Sequence, residues 1–301
     1  MSGWSRILES VPNFSEGRDR AVIERLTAPF RDRPGVKLLD CQSDENHNRS
    51  VITAVGEPEA LAAAVLEAME AAVAAIDLRR HRGQHPRLGA VDVVPFIPVK
   101  GLSMAEAVAV SRRVAEEAAR RFLLPVFLYE ESASAPHRRN LADIRKGQFE
   151  GLPEKLRRPE WQPDFGPAEA HPTAGAAVVG ARMPLIAFNV NLGCDRLEVA
   201  EEIARRVRHI GGGLRFCKAI GVALRDRGIV QVSMNLTDYT RTALYRAFEL
   251  VRIEAARWGV PVVGSEIVGL VPLAALVDAA SYYLRLEGFR AKQVLESRIY
   301  E

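Results

Sequence analysis

His81-Arg-Gly-Gln-His85-Pro-Arg-Leu-Gly89 leads straight into Ala90-Val-Asp-Val-Val-Pro-Phe-Ile-Pro-Val99, a basic loop opening onto an apolar strand. Pro86 fixes its own φ and biases His85 toward extended backbone, so the imidazole sits on a stiff connection. Toward the N-terminus, the strand over Val91 to Val99 closes an ordered series. Arg6-Ile-Leu-Glu-Ser-Val-Pro-Asn-Phe14 reads as a strand, and Ser15-Glu-Gly-Arg-Asp19 supplies turn and cap chemistry for a helix from about Arg20 to Phe30. A strand at Val36-Lys-Leu-Leu-Asp40 comes next. A polar loop, Gln42-Ser-Asp-Glu-Asn-His-Asn-Arg49, joins it to a strand at Ser50-Val-Ile-Thr-Ala-Val-Gly56. An alanine-rich helix from about Pro58 to Ile76 then precedes the closing strand. The series is βαββαβ, the signature of a ferredoxin-like unit.

The second half repeats the order. A strand at Pro184 to Leu192 and a turn at Gly193 lead to a helix from about Arg196 to Ile210. A hairpin of Cys217 to Leu224 and Ile229 to Leu236 is turned by Arg225-Asp-Arg-Gly228. A helix from about Arg241 to Trp258 and a strand at Pro261 to Val271 complete the set. The expected fold is α+β, two similar ferredoxin-like halves from an internal duplication, divided as residues 1–178 and 179–301. A helix over Met104 to Phe122 and a strand over Val126 to Tyr129 lie between them. So does a long polar, proline-rich passage from Glu131 to about Pro172, of a length that in compact proteins usually carries function.

With 301 residues, 48% hydrophobic and 26% charged, the chain is an ordinary globular protein with room for two domains of about 150 residues. A formal charge of +3 is too mild for a dedicated nucleic-acid binder, but it suits a locally positive cleft for anionic small molecules. Strand aromatics in the RNA-binding arrangement are absent. Cys41, Cys194 and Cys217 are widely spaced with no CxxC pair, so neither a disulfide framework nor a zinc site is suggested and a cytoplasmic setting is expected. No apolar stretch approaches the roughly 18 residues needed to span a bilayer, so neither secretion nor contact with a membrane is expected.

His85 is the first chemical candidate: an unperturbed imidazole titrates near pH 6.5 and serves as general base or acid with little tuning. The bland alternative is a hydrogen-bonding surface histidine, and His81 competes for the role. Asp40, Asp44, Glu45, His47, Asn48 and Arg49 form a second constellation, read either as substrate contacts or as a solvated hairpin loop. No HExxH, DxDxDG or paired histidines at helical spacing appear, so no metal is expected. Gly211-Gly-Gly213 follows a basic helix and reads as a helix stop. The stretch Asp164-Phe-Gly-Pro-Ala-Glu-Ala-His-Pro-Thr-Ala-Gly175 has the small residues that let a flat ligand approach backbone amides.

Several long stretches resemble one known family. They are Val11-Pro-Asn-Phe-Ser-Glu-Gly17, Asn48-Arg49, His85-Pro-Arg-Leu-Gly-Ala-Val-Asp92, Pro95-Phe-Ile-Pro98, Trp161-Gln-Pro-Asp-Phe-Gly-Pro167, Ile186-Ala-Phe-Asn-Val-Asn191 and Pro261 to Pro272. Together they are similar to the glutamate formimidoyltransferase family, from about Glu9 to Ala280. The resemblance implies transfer of a formimidoyl group from N-formimidoyl-L-glutamate to tetrahydrofolate, a co-substrate, in histidine breakdown. It implies a positively charged tunnel between the halves, with the catalytic histidine falling on His85. The folate-contacting segment falls on Gly166, Pro167, Ala168, Glu169, Ala170, His171, Pro172, Thr173, Ala174 and Gly175. Relatives are thought to carry an acidic residue where this chain has Gln42, and Asp44 is the candidate to replace it. Animal relatives continue into a cyclodeaminase domain, for which this chain has no room.

On this reading His85 takes the N5 proton of tetrahydrofolate and returns it to the departing glutamate. Arg49 and Arg87 grip donor carboxylates, with Asp44 and Asn48 as further substrate contacts. The rival readings are formyl transfer on the same scaffold and a folate-binding protein without turnover. A homodimer is expected, with Val260 to Leu284 offering an apolar face.

Overall fold

The computed structural model describes residues 3–299. Its internal contacts divide the chain into two units, the first ending at Arg182 and the second beginning at Met183. In the first unit, β1 (Ile7–Ser10) and β2 (Asn13–Phe14) are two parts of what the sequence reads as one strand. The break falls at Val11-Pro12, where proline has no N–H for the ladder. Val11 still donates to the Pro95 carbonyl at 3.4 Å, and Pro12 accepts from Ile52 at 3.0 Å. Next comes α1 (Arg20–Thr27), capped by Asp19, whose carboxylate accepts from the Ala21 and Val22 N–H groups.

β3 (Val36–Asp44) and β4 (Arg49–Gly56) pair as a hairpin whose last rung is Asp44 opposite Arg49. The polar loop expected over 42–49 therefore shrinks to the turn 45–48. β3 lies at the sheet edge, where polar side chains at its end meet water and do not end the strand. After α2 (Pro58–Ala75) come β5 (Val91–Lys100), α3 (Met104–Phe122) and β6 (Val126–Glu130). A capping box of Ser103 and Glu106 opens α3.

The polar passage after β6 is not structureless. It contains α4 (Leu141–Arg145) and α5 (Gln148–Leu156), then β7 (Ala177–Ala181) follows. The helices have five and nine residues, and Pro153 stands inside the second, so neither is long enough to print a 3.6-residue pattern. Ile144, Leu152 and Leu156 pack with Val93, Phe127, Tyr129 and Val178, while Val94, Phe96, Leu128 and Val179 join the core that includes α2 and α3. Helices thus cover both faces of β5, β7 and β6, which pair in parallel and are largely apolar. The sheet order is β3-β4-β1/β2-β5-β7-β6.

The second unit contains β8 (Ile186–Leu192), α6 (Leu197–Val207), β9 (Cys217–Leu224), β10 (Ile229–Leu236), α7 (Leu244–Arg257) and β11 (Val262–Val268). Helices α8 (Leu273–Leu284) and α9 (Leu295–Ile299) follow. The four strands form an antiparallel sheet in the order β11-β8-β10-β9. The amphipathic α6 and α7 bury Val199, Ile203, Val207, Ala247 and Val251 against Phe188, Val190 and Val232. The β9–β10 turn lies at Arg225–Arg227 as the sequence implies, with Gly228 at φ +61°. α7 starts three residues later than its expected Arg241, because Asp238 organises a turn there: its backbone carbonyl accepts from Thr242 N–H and its side chain from Thr240 N–H.

Among the described residues, no helix is long and apolar enough to cross a membrane. Nor is any group of three or more His, Cys, Asp or Glu placed to hold a metal ion.

Candidate active site

The β3–β4 turn and the loop before β5 are fastened together, and the fastening places His85. Gln84 N–H donates to the Asn46 carbonyl at 3.1 Å, Asn48 Nδ2 to the Arg82 carbonyl at 3.1 Å, and His81 Nε2 to the Asn48 carbonyl at 2.9 Å. Asn48 has φ +48°, a left-handed conformation that asparagine tolerates better than most residues. Its Oδ1 accepts from Gly17 N–H at 2.9 Å. A Cβ on Gly83 would sit 2.2 Å from the His47 carbonyl oxygen, so the loop approaches the turn as only glycine permits.

His85 itself is 17% exposed, and its Nε2 lies 3.2 Å from Arg49 Nη1 and 3.8 Å from Asp92 Oδ2. Because the guanidinium can only donate, the short contact assigns the lone pair to Nε2. Burial lowers the His85 pKa below its ordinary value; Asp92 opposes this, and the Arg49 and Arg145 charges add to it. The neutral ring is therefore favoured, with its Nε2 lone pair turned to Arg49.

Asp92 is the single buried charge in the largely apolar β5 and is 1% exposed. Its Oδ1 accepts from Leu88 N–H at 2.9 Å and from Arg145 Nε at 3.3 Å, and Arg145 Nη2 binds Oδ2. Burial pushes its carboxyl upward, but Arg145, His85 and the Leu88 N–H together outweigh burial, so the group lies below the usual carboxylate range. A buried carboxylate is tolerated here because it is paired.

The remaining expected site residues divide. Arg49 is half-buried beside His85, and burial together with Arg145 lowers its pKa. Asp44 is at the hairpin end, where its Oδ1 accepts from His47 N–H at 2.7 Å and its Oδ2 lies 3.0 Å from His47 Nδ1. The backbone and side chain of His47 draw the Asp44 carboxyl below its usual range. The His47 ring lies 6.3 Å from the His85 ring. Asn48 is buried in the contacts above. Arg87 is buried as well, donating to His81 Nδ1 at 3.3 Å, to Gln148 at 3.0 Å and to Glu150 at 2.9 and 2.6 Å. Gln42 donates to Asp40 at 2.8 Å.

The segment 166–175 meets this site at one end. Gly89 and Gly175 form a bridge, and Ala90 N–H donates to the Ala174 carbonyl at 2.9 Å. A Cβ on Gly89 would lie 1.9 Å from the Ala176 carbonyl oxygen, and one on Gly175 2.4 Å from that of Leu88. At the other end, Gly166 takes φ +88° against the Leu124 carbonyl, and Pro167, Ala168 and Glu169 are exposed. His171 Nδ1 accepts from Ala174 N–H at 3.0 Å, between the half-buried Ala170 and the exposed Pro172, and the Thr173 carbonyl accepts from Leu78 N–H at 2.8 Å.

Sequence reasoning had one signal for Asp92, a lone charge in an apolar run. It had none for Arg145 or Glu150, which come from short helices in the polar passage.

Comparison with known proteins gives a consistent result. Residues 7–182 match the model of the formiminotransferase domain's N-terminal subdomain, and residues 187–298 that of the formiminotransferase domain. The chain is 51% identical to glutamate formimidoyltransferase of Streptococcus pyogenes serotype M1, over 98% of this chain and 99% of that protein. It is 46% identical to glutamate formimidoyltransferase of Thermoplasma acidophilum, covering 97% of each. With formimidoyltransferase-cyclodeaminase of Rattus norvegicus the identity is also 46%, over 93% of this chain but 52% of that protein.

Proposed function

The chain belongs to the formiminotransferase family, and we infer that it moves the formimidoyl group of N-formimidoyl-L-glutamate to tetrahydrofolate, releasing L-glutamate, with His85 as proton shuttle. The carrying observation is the His85 imidazole held between Arg49 and the pair formed by buried Asp92 with Arg145. N5 of tetrahydrofolate attacks the amidine carbon, and the new N–C bond forms as N5 gives up its proton to His85. The carbon–nitrogen bond to glutamate then breaks as that nitrogen takes the proton back. The Asp92 carboxylate stabilises the imidazolium that exists between the two transfers, and such a shuttle is worth about 10²–10⁴-fold in rate.

Arg49 has five donors, of which one faces His85, and those remaining suit a donor carboxylate. His47 stands 6.3 Å from the same ring with Asp44 bound behind it, and both are assigned to the donor. Asn48 and Arg87 hold the loop in place, Arg87 through Glu150 and His81. The segment from Gly166 to Gly175 is assigned to folate, with its closely apposed glycine end beside the His85 loop as support.

We read the two units as copies of one ferredoxin-like βαββαβ fold. The support is a shared strand order, β5-β1/β2-β4-β3 in the first and β11-β8-β10-β9 in the second. A homodimer in the cytoplasm belongs to the same reading, in keeping with three unpaired cysteines and with Leu273, Leu276 and Tyr283 exposed along α8.

Two assays test the reaction. L-glutamate release from N-formimidoyl-L-glutamate is expected to require tetrahydrofolate; release without the acceptor, or none with both substrates, contradicts the assignment. Arg49→Ala is expected to raise the KM for the donor more than that for tetrahydrofolate, and equal effects would remove Arg49 from carboxylate recognition.

A further inference from the structure

Asp92 assists His85 only while Arg145 balances its charge, and Arg145 is the last residue of α4, a five-residue helix. So short a helix does not hold its own end. The carbonyls around that end are bound by one side chain. Lys155, on α5, is buried, and its Nζ donates to the carbonyls of Asp143 at 3.0 Å, Ile144 at 2.5 Å and Lys146 at 2.9 Å. These three carbonyls flank Arg145 on both sides. The ammonium also lies 4.2 Å from the centre of the Trp161 ring.

Among the described residues Lys155 makes no ion pair. A buried ammonium held by carbonyls and a ring, with the Asp143 charge too weak to offset burial and the Arg158 and Lys146 charges, costs free energy, so an uncharged side chain would fill the space more cheaply unless the charge had a task.

We propose that Lys155 is a positioning residue for formimidoyl transfer: its ammonium fixes the backbone on either side of Arg145 and so keeps the Arg145–Asp92 pair in register with His85. This rests on the reading of His85 as the base. Burial, reinforced by the Arg158 and Lys146 charges and opposed by Asp143, brings the Lys155 pKa down to about 8, so the ammonium is charged at neutral pH and weakens as a donor above it.

The consequence is a defined shift. The charged or titratable groups facing His85 are Arg49 from β4, Asp92 from β5, Arg145 from α4 and His47 from the hairpin turn. Losing Lys155 frees the end of α4, and Arg145 moves off Asp92. The unbalanced carboxylate then favours the imidazolium, so the His85 pKa rises. The acid limb of kcat/KM moves to higher pH.

The test compares Lys155→Met, Arg145→Met and the double variant in the full chain, reading kcat/KM against pH. Lys155→Met is expected to lose about 10–100-fold at neutral pH, the scale of a catalytic group displaced by about an ångström. Its acid limb should move upward, the double variant should be no worse than Arg145→Met, and Lys155→Arg, which keeps the donors, should recover most of the loss. If Lys155→Met does not fold, Trp161→Leu, which removes the ring beside the ammonium, should give a smaller shift in the same direction. An unmoved acid limb in a folded variant, or losses that multiply in the double variant, overturns the proposal. His85→Gln run alongside separates the failures: if it retains the wild-type rate, the base assignment fails, whereas its loss beside an unshifted Lys155→Met removes only Lys155.

Discussion

Asp92 shows at single-residue scale how the site is held together. Leu88 N–H and two nitrogens of Arg145 bind its carboxylate, and His85 stands at 3.8 Å. Asp92→Asn removes the group that raises the His85 pKa and leaves Arg145, which lowers it. The acid limb of kcat/KM should therefore move to lower pH, opposite in sign to the shift from losing Lys155. The same substitution leaves the half-buried Arg145 guanidinium without its carboxylate and should cost on the order of 3 kcal/mol in urea unfolding. A variant as stable as wild type, with its acid limb unmoved, would show that this pair neither tunes His85 nor supports the fold. His85 is legible in the sequence as a candidate because it stands in a basic loop before an apolar strand. Asp92 is half-legible, since a charge in such a run must find a partner. Its partner is not, because Arg145 lies 53 positions further on in a passage without periodicity.

At the scale of elements, the site depends on backbones that approach more closely than a side chain allows. The Gly89 apposition to residues 174–176 ties the loop before β5 to the segment assigned to folate. Gly89→Ala puts a carbon against the Ala176 carbonyl and should destabilise by about 1–3 kcal/mol or more. Gly151→Ala is the matched control: it lies within α5, its added Cβ meets nothing within 4 Å, and alanine there should stabilise by about 0.4–1 kcal/mol. Equal denaturation midpoints for the two variants would contradict this. The longer elements of both units follow from their periodicity, whereas α4, α5 and β7 do not. The two helices acquire regular structure by packing on Phe127, Tyr129 and Val178, and β7 by pairing between β5 and β6, contacts that a linear pattern does not display. The hairpin end is a related case, where polar residues that resemble a loop remain in register because their strand is an edge.

For the whole molecule, protonation links the site to stability. Burial lowers the pKa values of His81, His85 and His171 below 6.5. Below that pH the unfolded chain binds more protons than the folded one, so stability contributed above about pH 6.5 is lost as pH falls through the folded pKa values. Tm should fall between pH 7.5 and 5.5, and a Tm that held or rose on acidification would show that these rings are charged in the folded state. The most direct measurement is the transfer rate of His85→Ala, taken together with its affinity for tetrahydrofolate. The predicted result is folate binding close to wild type with transfer about 10²–10⁴-fold slower. Wild-type turnover in that variant would contradict the account.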